Sequence, residues 1–112
     1  MLEPLRAETI SGEALQSVYS AFLARPRLPW LGPAFFTKLI YFAGYRRGTG
    51  GIQPLILDKI VAGRLPADAG VRPRAWLWTS TEWTGYLKWA ADQTTGEPDE
   101  VEMALFAGQP LS

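Results

Sequence analysis

The sequence predicts a small all-α domain of about five helices, and three observations lead to this prediction. Apolar residues recur in several segments with the three- and four-residue spacing of one-sided helices. Prolines and glycines separate these segments, and no segment alternates apolar and polar residues long enough to build a sheet. Of the 112 residues 47% are hydrophobic and 20% are charged, which is typical of one globular domain spanning residues 1–112.

The first two helices are expected over residues 12–24 and 33–44. Ser11 is the predicted N-cap of the first helix. Pro33 suits the first turn of the second, because the N–H that proline lacks would have no partner there. Apolar residues occupy most of the circumference of the second helix, so we expect it to be central and buried, with Gly44 ending it in a left-handed turn.

Three further helices are expected over about residues 59–65, 79–92 and 98–107. Asp58 is a natural N-cap for the first of these. Thr79 and Glu82 have the spacing of a capping box at the start of the second. Pro98 opens the third, which is rich in acidic residues in its first turn, as the helix dipole favours.

The residue types that are missing exclude several classes of function. The chain has no cysteine and no histidine, so it has no disulfide, no thiolate nucleophile, no imidazole metal site and no Ser-His-Asp triad. The remaining options are the chemistry of lysine, aspartate and glutamate, or binding without chemistry. No apolar run approaches the roughly 18–20 residues of a membrane span, and the first ten residues lack the apolar core of a secretory signal. We therefore expect a cytoplasmic protein.

A formal net charge of zero hides a strong asymmetry along the chain. Residues 25–74 hold nine basic residues against two acidic ones, whereas residues 75–112 hold one basic residue against six acidic ones. A basic middle between acidic ends indicates a surface that faces a polyanion. The alternative interpretation is that the charges are scattered on the surface and the acidic ends fold back over the basic part.

Residues 28–40 are the most informative segment. One helix ends, a tight hairpin containing proline and glycine follows, and a second helix begins at once. The unpaired N–H groups and the positive dipole end of that second helix suit a nucleic-acid phosphate. The candidate DNA contacts comprise backbone donors, basic side chains and one hairpin aromatic: Gly32, Ala34, Phe35, Lys38, Arg46, Arg47 and Trp30.

Four segments occur in a characteristic order: residues 31–42, residues 53–61, the Trp83…Tyr86…Trp89 helix and the acidic residues 99–106. In this order they resemble the helix-hairpin-helix DNA glycosylases, and more closely a bacterial group of proteins with the 8-oxoguanine glycosylase fold. The resemblance covers roughly residues 25–107. It implies a helix-hairpin-helix motif at about residues 12–44, followed by C-terminal helices at about 58–107.

The resemblance implies a DNA-binding enzyme of base excision repair that hydrolyses the N-glycosidic bond of a damaged or modified base. Asp58 matches the family's aspartate at a helix start, which faces the sugar of a flipped-out nucleotide and stabilises the positive charge that develops as the base leaves. The structural alternative is that Asp58 only caps its helix. The resemblance implies no metal or organic cofactor. It also implies a nucleoid-associated location in the cytoplasm.

The sequence departs from the family pattern at the hairpin. Ala34 occupies the position of the catalytic lysine of bifunctional members, which indicates a monofunctional enzyme. Lys38 lies one helical turn further along the same face, where it could reach the pocket as a nucleophile but is better suited to contact a phosphate. The chain is also short for the two helical lobes between which the family's base pocket lies.

Two other functions remain open on the sequence alone. One is a catalytically inactive DNA-binding module that keeps the fold and has lost the pocket. The other is an interaction subunit, or an oligomer, in which the acidic residues 97–102 dock a basic partner that completes the core. Among the aromatic residues, Trp83 and Tyr86 are expected in the core, whereas Trp89 lies off their face and is a candidate partner contact.

Overall fold

The computed structural model describes residues 11–24, 32–48, 51–73 and 78–108. All regular structure within these ranges is helical, which confirms the predicted all-α class. The helices in the described residues are α1 (Gly12–Ala24), α2 (Pro33–Gly44), α3 (Lys59–Arg64), α4 (Ser80–Gln93) and α5 (Pro98–Ala107), and a 3-10 turn (Ala67–Ala69) follows α3. Among the described residues, no helix has both the length and the apolar character needed to cross a membrane.

Local hydrogen bonds confirm the predicted helix starts. The Oγ of Ser11 accepts the N–H of Ala14 at 3.0 Å at the start of α1. In the capping box of α4, the Thr79 side chain accepts the N–H of Glu82 at 3.1 Å, and the Glu82 carboxylate accepts the N–H of Thr79 at 3.0 Å. At the other end of the chain, Gly108 ends α5 in the left-handed conformation (φ 73°), as expected of a glycine after a helix.

Helix α2 differs from its prediction in burial. Phe36 and Ile40 are buried, but Phe35 and Leu39 are exposed and Phe42 is 79% exposed. The reason is that α2 packs on α1 at one side of the molecule, whereas the central position belongs to α4, which contacts α1, α5 and the 3-10 turn. An apolar circumference therefore did not indicate a central helix.

The predicted left-handed turn at Gly44 is also wrong. Gly44 is the last residue of α2, it is buried, and its φ is not positive. The chain leaves the helix at Tyr45 in an extended conformation (φ −68°, ψ 132°). This exit places the Tyr45 hydroxyl 2.9 Å from the Glu97 carboxylate, to which it donates a hydrogen bond. A tertiary contact, rather than a local glycine turn, accompanies the end of the helix.

The core is built on the buried side of α4. Trp83 is fully buried and stacks on Tyr19 of α1 with ring centroids 5.1 Å apart. Phe36 of α2 meets the same Tyr19 ring edge-on at 4.8 Å. The expectation that Trp83 and Tyr86 belong to the core is confirmed, since both are 0% exposed. Trp89, predicted as a partner contact, is itself buried (8% exposed), so that interpretation is wrong.

Residues 52–58, here called the buried linker, join the end of α2 to α3 through the interior without forming a helix. A chain inside a protein needs hydrogen-bond partners for its backbone, and here side chains supply them. The Trp83 indole N–H donates to the Leu55 carbonyl at 2.9 Å, and the N–H of Leu57 donates to Thr37 Oγ1 at 3.0 Å. The buried linker is thereby held between α2, α4 and α5, and it delivers Asp58 to the start of α3.

Candidate active site

A pocket of about 440 Å³ opens beside Asp58, between α2, the start of α3 and α5. Its polar wall consists of Lys38, Asp58 and Glu102, and its apolar wall includes Met103 and Phe106. The structure therefore brings together the two residues for which the sequence predicts a catalytic role, Asp58 and Lys38. It adds a third ionisable group, Glu102, for which the sequence predicted no such role.

The carboxylate of Asp58 is held in a defined orientation by α3. Its Oδ1 accepts the N–H of Val61 at 2.9 Å, which confirms the predicted N-cap. The residue is half-buried and lines the pocket. Capping and a role in the pocket are compatible, because the cap uses Oδ1 and leaves Oδ2 to meet a ligand.

Thr37, on the buried side of α2, positions the buried linker. The hydroxyl is fully buried, donates to the Pro33 carbonyl at 2.6 Å and accepts the N–H of Leu57 at 3.0 Å. Leu57 directly precedes Asp58, so this hydrogen bond holds the backbone next to the candidate catalytic carboxylate.

Substitution of Thr37 tests this positioning. We expect Thr37→Val to lower the free energy of unfolding by about 1–3 kcal/mol, because the buried N–H of Leu57 would lose its acceptor. Thr37→Ser keeps the hydroxyl and serves as the matched control, with an expected loss of about 1 kcal/mol or less for the missing methyl group. Urea unfolding of both variants checks the difference, and equal losses would contradict it.

Glu102 reaches the pocket from α5 and is only 9% exposed. One carboxylate oxygen accepts the N–H of Ile56 in the buried linker at 2.6 Å. Burial, together with the nearby Asp99 and Asp58 carboxylates, raises the pKa of Glu102 to about 7 despite the hydrogen bond from Ile56. Near neutral pH this side chain therefore exchanges between a carboxylate and a neutral acid.

Helical spacing could have indicated that Glu102 points inward. It lies four residues after Pro98 and three before Leu105, and both of these are buried on the same face of α5. The sequence interpretation instead grouped Glu102 with the acidic residues 97–102 that would dock a basic partner. The detectable signal was a charged residue at an apolar position of the helical pattern.

Arg47, a predicted DNA contact, forms an ion pair with Asp99 at the start of α5. Its guanidinium Nη1 donates to Asp99 Oδ1 at 3.1 Å, its Nη2 contacts Oδ2, and the Tyr41 hydroxyl donates to Oδ2 at 2.8 Å. Burial opposes ionisation of Asp99, but these hydrogen bonds hold the pKa of its carboxyl below the usual range. The Arg47 side chain remains 61% exposed, so the prediction of a DNA contact stays a prediction.

The acidic C-terminal part of the chain thus folds back over the basic middle, as the alternative interpretation of the charge pattern proposed. Arg72 pairs with Glu82 at 2.8 Å, and the Arg64 guanidinium donates to the Leu105 carbonyl at 2.9 Å at the end of α5. In residues 97–102, Glu100 is the exposed acid, whereas the other three are at least partly buried and hydrogen-bonded within the chain. Little of this charge is left for docking a basic partner.

Two lysines near the pocket keep their charge accessible. Lys38 on α2 and Lys59 on α3 are exposed, and no described carboxylate lies within 4 Å of either. Arg46 is half-buried, and its backbone N–H donates to the Gln53 side chain at 2.9 Å, which ties its loop to the buried linker. Basic charge therefore remains on the described surface near the pocket.

Gly32 starts α2 in an extended conformation (φ −86°, ψ −175°), with Pro33 at the first helical position. The N–H of Phe35 donates to the Gly32 carbonyl at 3.0 Å, so a phosphate would have to compete for this donor. Ala34 is exposed in the same turn. The remainder of the predicted hairpin, including Trp30, lies outside the described residues.

The described residues combine an all-helical fold, a carboxylate-lined pocket and a buried linker that ends in a capping aspartate, with basic charge beside them. These features define a small helical domain with a candidate acid–base site. The chain matches a family model described as "Putative 8-oxoguanine DNA glycosylase OGG-like protein" over residues 5–106, and it belongs to this family. No curated protein and no solved structure matches the chain.

Proposed function

We propose that this protein is a monofunctional DNA glycosylase of base excision repair, which hydrolyses the N-glycosidic bond of a damaged or modified base. The observation that carries the proposal is the position of Asp58. Its carboxylate is oriented by the cap of α3 and lines a pocket of about 440 Å³, which lies within the ordinary size range of small-molecule sites. Membership of the glycosylase-like family supports the same function.

The chemistry assigned to Asp58 is electrostatic and acid–base. A nucleotide turned out of the duplex places its sugar against the carboxylate, and the negative charge stabilises the oxocarbenium-like cation that forms as the base departs. A water molecule then adds to the sugar and loses a proton. Cysteine, histidine and a metal are not needed for this reaction, which agrees with a chain that has neither residue.

The proposed DNA backbone contacts are the first turn of α2 and the nearby basic side chains. The amides of Gly32 and Ala34 stand at the positive end of the α2 dipole. Lys38 and Lys59 are exposed and supply positive charge beside the pocket. Arg47 adds a partly exposed guanidinium whose position is held by Asp99.

The proposal is tested by binding and by base release. A fluorescent duplex with an abasic-site analogue is compared with an undamaged duplex over a salt series, and release of 8-oxoguanine from a duplex is measured by strand cleavage after alkali. We expect tighter binding to the abasic analogue, a steep salt dependence and base release. Equal binding to both duplexes without release would leave a DNA-binding module, and the absence of binding would favour an interaction subunit.

Reduction with borohydride separates the two mechanisms open to a glycosylase. A monofunctional enzyme forms no Schiff base, so we expect no covalent adduct between protein and DNA. An adduct that disappears in Lys38→Gln would instead make Lys38 the nucleophile, since its side chain lines the same pocket as Asp58. That result would overturn the monofunctional assignment.

Gly32→Ala is expected to weaken binding of the abasic duplex several-fold with a change in unfolding free energy within about 0.5 kcal/mol. No described atom lies within 4 Å of a Cβ added at Gly32, and its φ of −86° suits alanine, so the fold has no need of glycine there. A methyl group would, however, stand in the way of a phosphate that approaches the backbone.

The matched control for this substitution is Gly63→Ala. Gly63 is an exposed residue of α3 whose added Cβ also meets no described atom within 4 Å. We expect Gly63→Ala to bind DNA like the wild type and to gain stability from helix propensity. Unchanged binding by Gly32→Ala would contradict the proposed phosphate contact.

A further inference from the structure

Asp58 and Glu102 approach the same pocket from different parts of the fold, and their surroundings differ. Asp58 is half-buried and belongs to the cap of α3. Glu102 is 9% exposed, and it accepts a hydrogen bond from the neutral N–H of Ile56 rather than from a cation. Within the described residues no basic group lies within 4 Å of the Glu102 carboxyl. A buried carboxyl without a cationic partner favours its neutral form.

We propose that Glu102 is a catalytic acid of this pocket, which donates a proton to the departing base while Asp58 acts on the sugar. This inference rests on the glycosylase function proposed above and assigns to the same site a second acid–base residue. It gives the two carboxyl groups different tasks: Glu102 supplies a proton to the base, and Asp58 stabilises the sugar. Pairs of carboxyl groups that act in this way need surroundings that separate their proton affinities.

The groups around Glu102 belong to the buried linker, α2, α4 and α5. Asp58 and the N–H of Ile56 belong to the buried linker, Asp99 to α5 and Lys38 to α2. The Tyr86 hydroxyl of α4, which is close enough to interact electrostatically with Glu102, is buried and has no hydrogen-bond partner among the described residues. Burial and the two neighbouring carboxylates raise the pKa of Glu102 to about 7, so a large share of the molecules carries the proton at neutral pH.

The proposed step is balanced without any further reactant than water. The proton of the Glu102 carboxyl moves to an acceptor atom of the base, the bond between C1′ and the base nitrogen breaks, and its electron pair leaves with the base. The oxygen of a water molecule bonds to C1′, and the proton that this water loses passes to Asp58. Exchange with solvent returns a proton to Glu102 and removes one from Asp58.

This assignment also indicates the class of substrate. A general acid helps most when the leaving group departs poorly as an anion, so the substrate is a base that leaves slowly unless it is protonated. The base must present a proton-accepting nitrogen or oxygen toward α5. Bases that already leave easily would gain little from Glu102.

The test compares Glu102→Gln with Glu100→Gln, which changes an exposed acid on the same helix. Single-turnover release of 8-oxoguanine from a duplex is measured from pH 5 to 9. We expect the wild-type rate to fall above about pH 7, as Glu102 loses its proton. The rate of Glu102→Gln should be about 100-fold lower at pH 6 and should lack this fall, because glutamine has no acidic proton. Glu100→Gln should match the wild type.

A purely structural role predicts a different result. Glutamine keeps an oxygen that can accept the N–H of Ile56, so a residue that served only the buried linker would leave the rate and its pH profile unchanged. Wild-type kinetics in Glu102→Gln would therefore overturn the inference while leaving the proposed function intact. Binding of the abasic duplex should be equal in both proteins, since the variant changes the acid and not the DNA contacts.

A second measurement on the unmodified protein covers the case in which Glu102→Gln folds poorly. The carboxyl carbon of Glu102, observed by nuclear magnetic resonance, should titrate with a midpoint near pH 7. A midpoint near the ordinary value for glutamate, about 4.3, would overturn the assignment whatever the variant does. Wild-type protein that releases no base from the 8-oxoguanine duplex would reject the proposed function, and the role of Glu102 with it.

Discussion

Asp58→Asn is expected to lower the rate of base release by at least about 100-fold while leaving the fold and DNA binding nearly unchanged. Asparagine has no negative charge to stabilise a cationic sugar and cannot take a proton from water. It is, however, as good an N-cap as aspartate, and its side-chain oxygen can still accept the N–H of Val61. The expected loss of unfolding free energy is therefore only a few tenths of a kcal/mol.

Single-turnover base release and binding of the abasic duplex, measured on the same preparation, separate these effects. Asp68→Asn is the matched control, because Asp68 is an exposed acid in the 3-10 turn after α3. It should behave like the wild type in both measurements. Retained base release in Asp58→Asn would reduce Asp58 to a structural cap and remove the main support for an enzyme.

Glu102→Gln is expected to raise the free energy of unfolding at pH 8 by as much as about 3 kcal/mol and to change it little at pH 4. The pKa of Glu102 is raised from 4.5 to about 7 in the folded protein. The folded state therefore binds more protons than the unfolded state between these values. Stability associated with Glu102 is fully present below pH 4.5 and is lost as the pH rises through about 7. Neutral glutamine avoids this loss.

Urea unfolding at half-unit steps from pH 4 to 8 measures the difference between the variant and the wild type. Glu100→Gln is the control, since Glu100 is an exposed acid on the same helix. Asp99 adds little to this difference, because it is present in both proteins and its pKa in the folded protein lies below the measured range. A difference that stays constant with pH would show that the Glu102 carboxyl is not destabilised by burial.

A feature of the fold could be predicted from the sequence when the residues that determine it lie close together in the chain. The starts of α1, α3 and α4 were predicted from Ser11, Asp58 and Thr79, and each is confirmed by a hydrogen bond to an N–H three residues away. Such contacts lie within one helical turn, so residue types and their spacing are sufficient to predict them. The core positions of Trp83 and Tyr86 followed in the same way from helical periodicity.

The wrong predictions concern burial that depends on which other elements pack against a helix. α2 is apolar around most of its circumference, yet Phe42 is 79% exposed, because only one side of the helix meets α1 and the core. Trp89 was placed off the apolar face of α4, but α4 is the central helix and is covered on more than one side. Periodicity describes the faces of a single helix and contains no information about how many of them are covered.

For the candidate site, the sequence by itself determined the residue types that can act, the absence of cysteine and histidine, the basic middle of the chain, and Asp58 as the N-cap of a helix. Only the tertiary structure decided that Lys38, Asp58 and Glu102 share one pocket and that Arg47 pairs with Asp99, 52 residues away in the chain. The physical reason is that capping is local, whereas the proton affinity of Glu102 depends on burial and on carboxylates from distant segments.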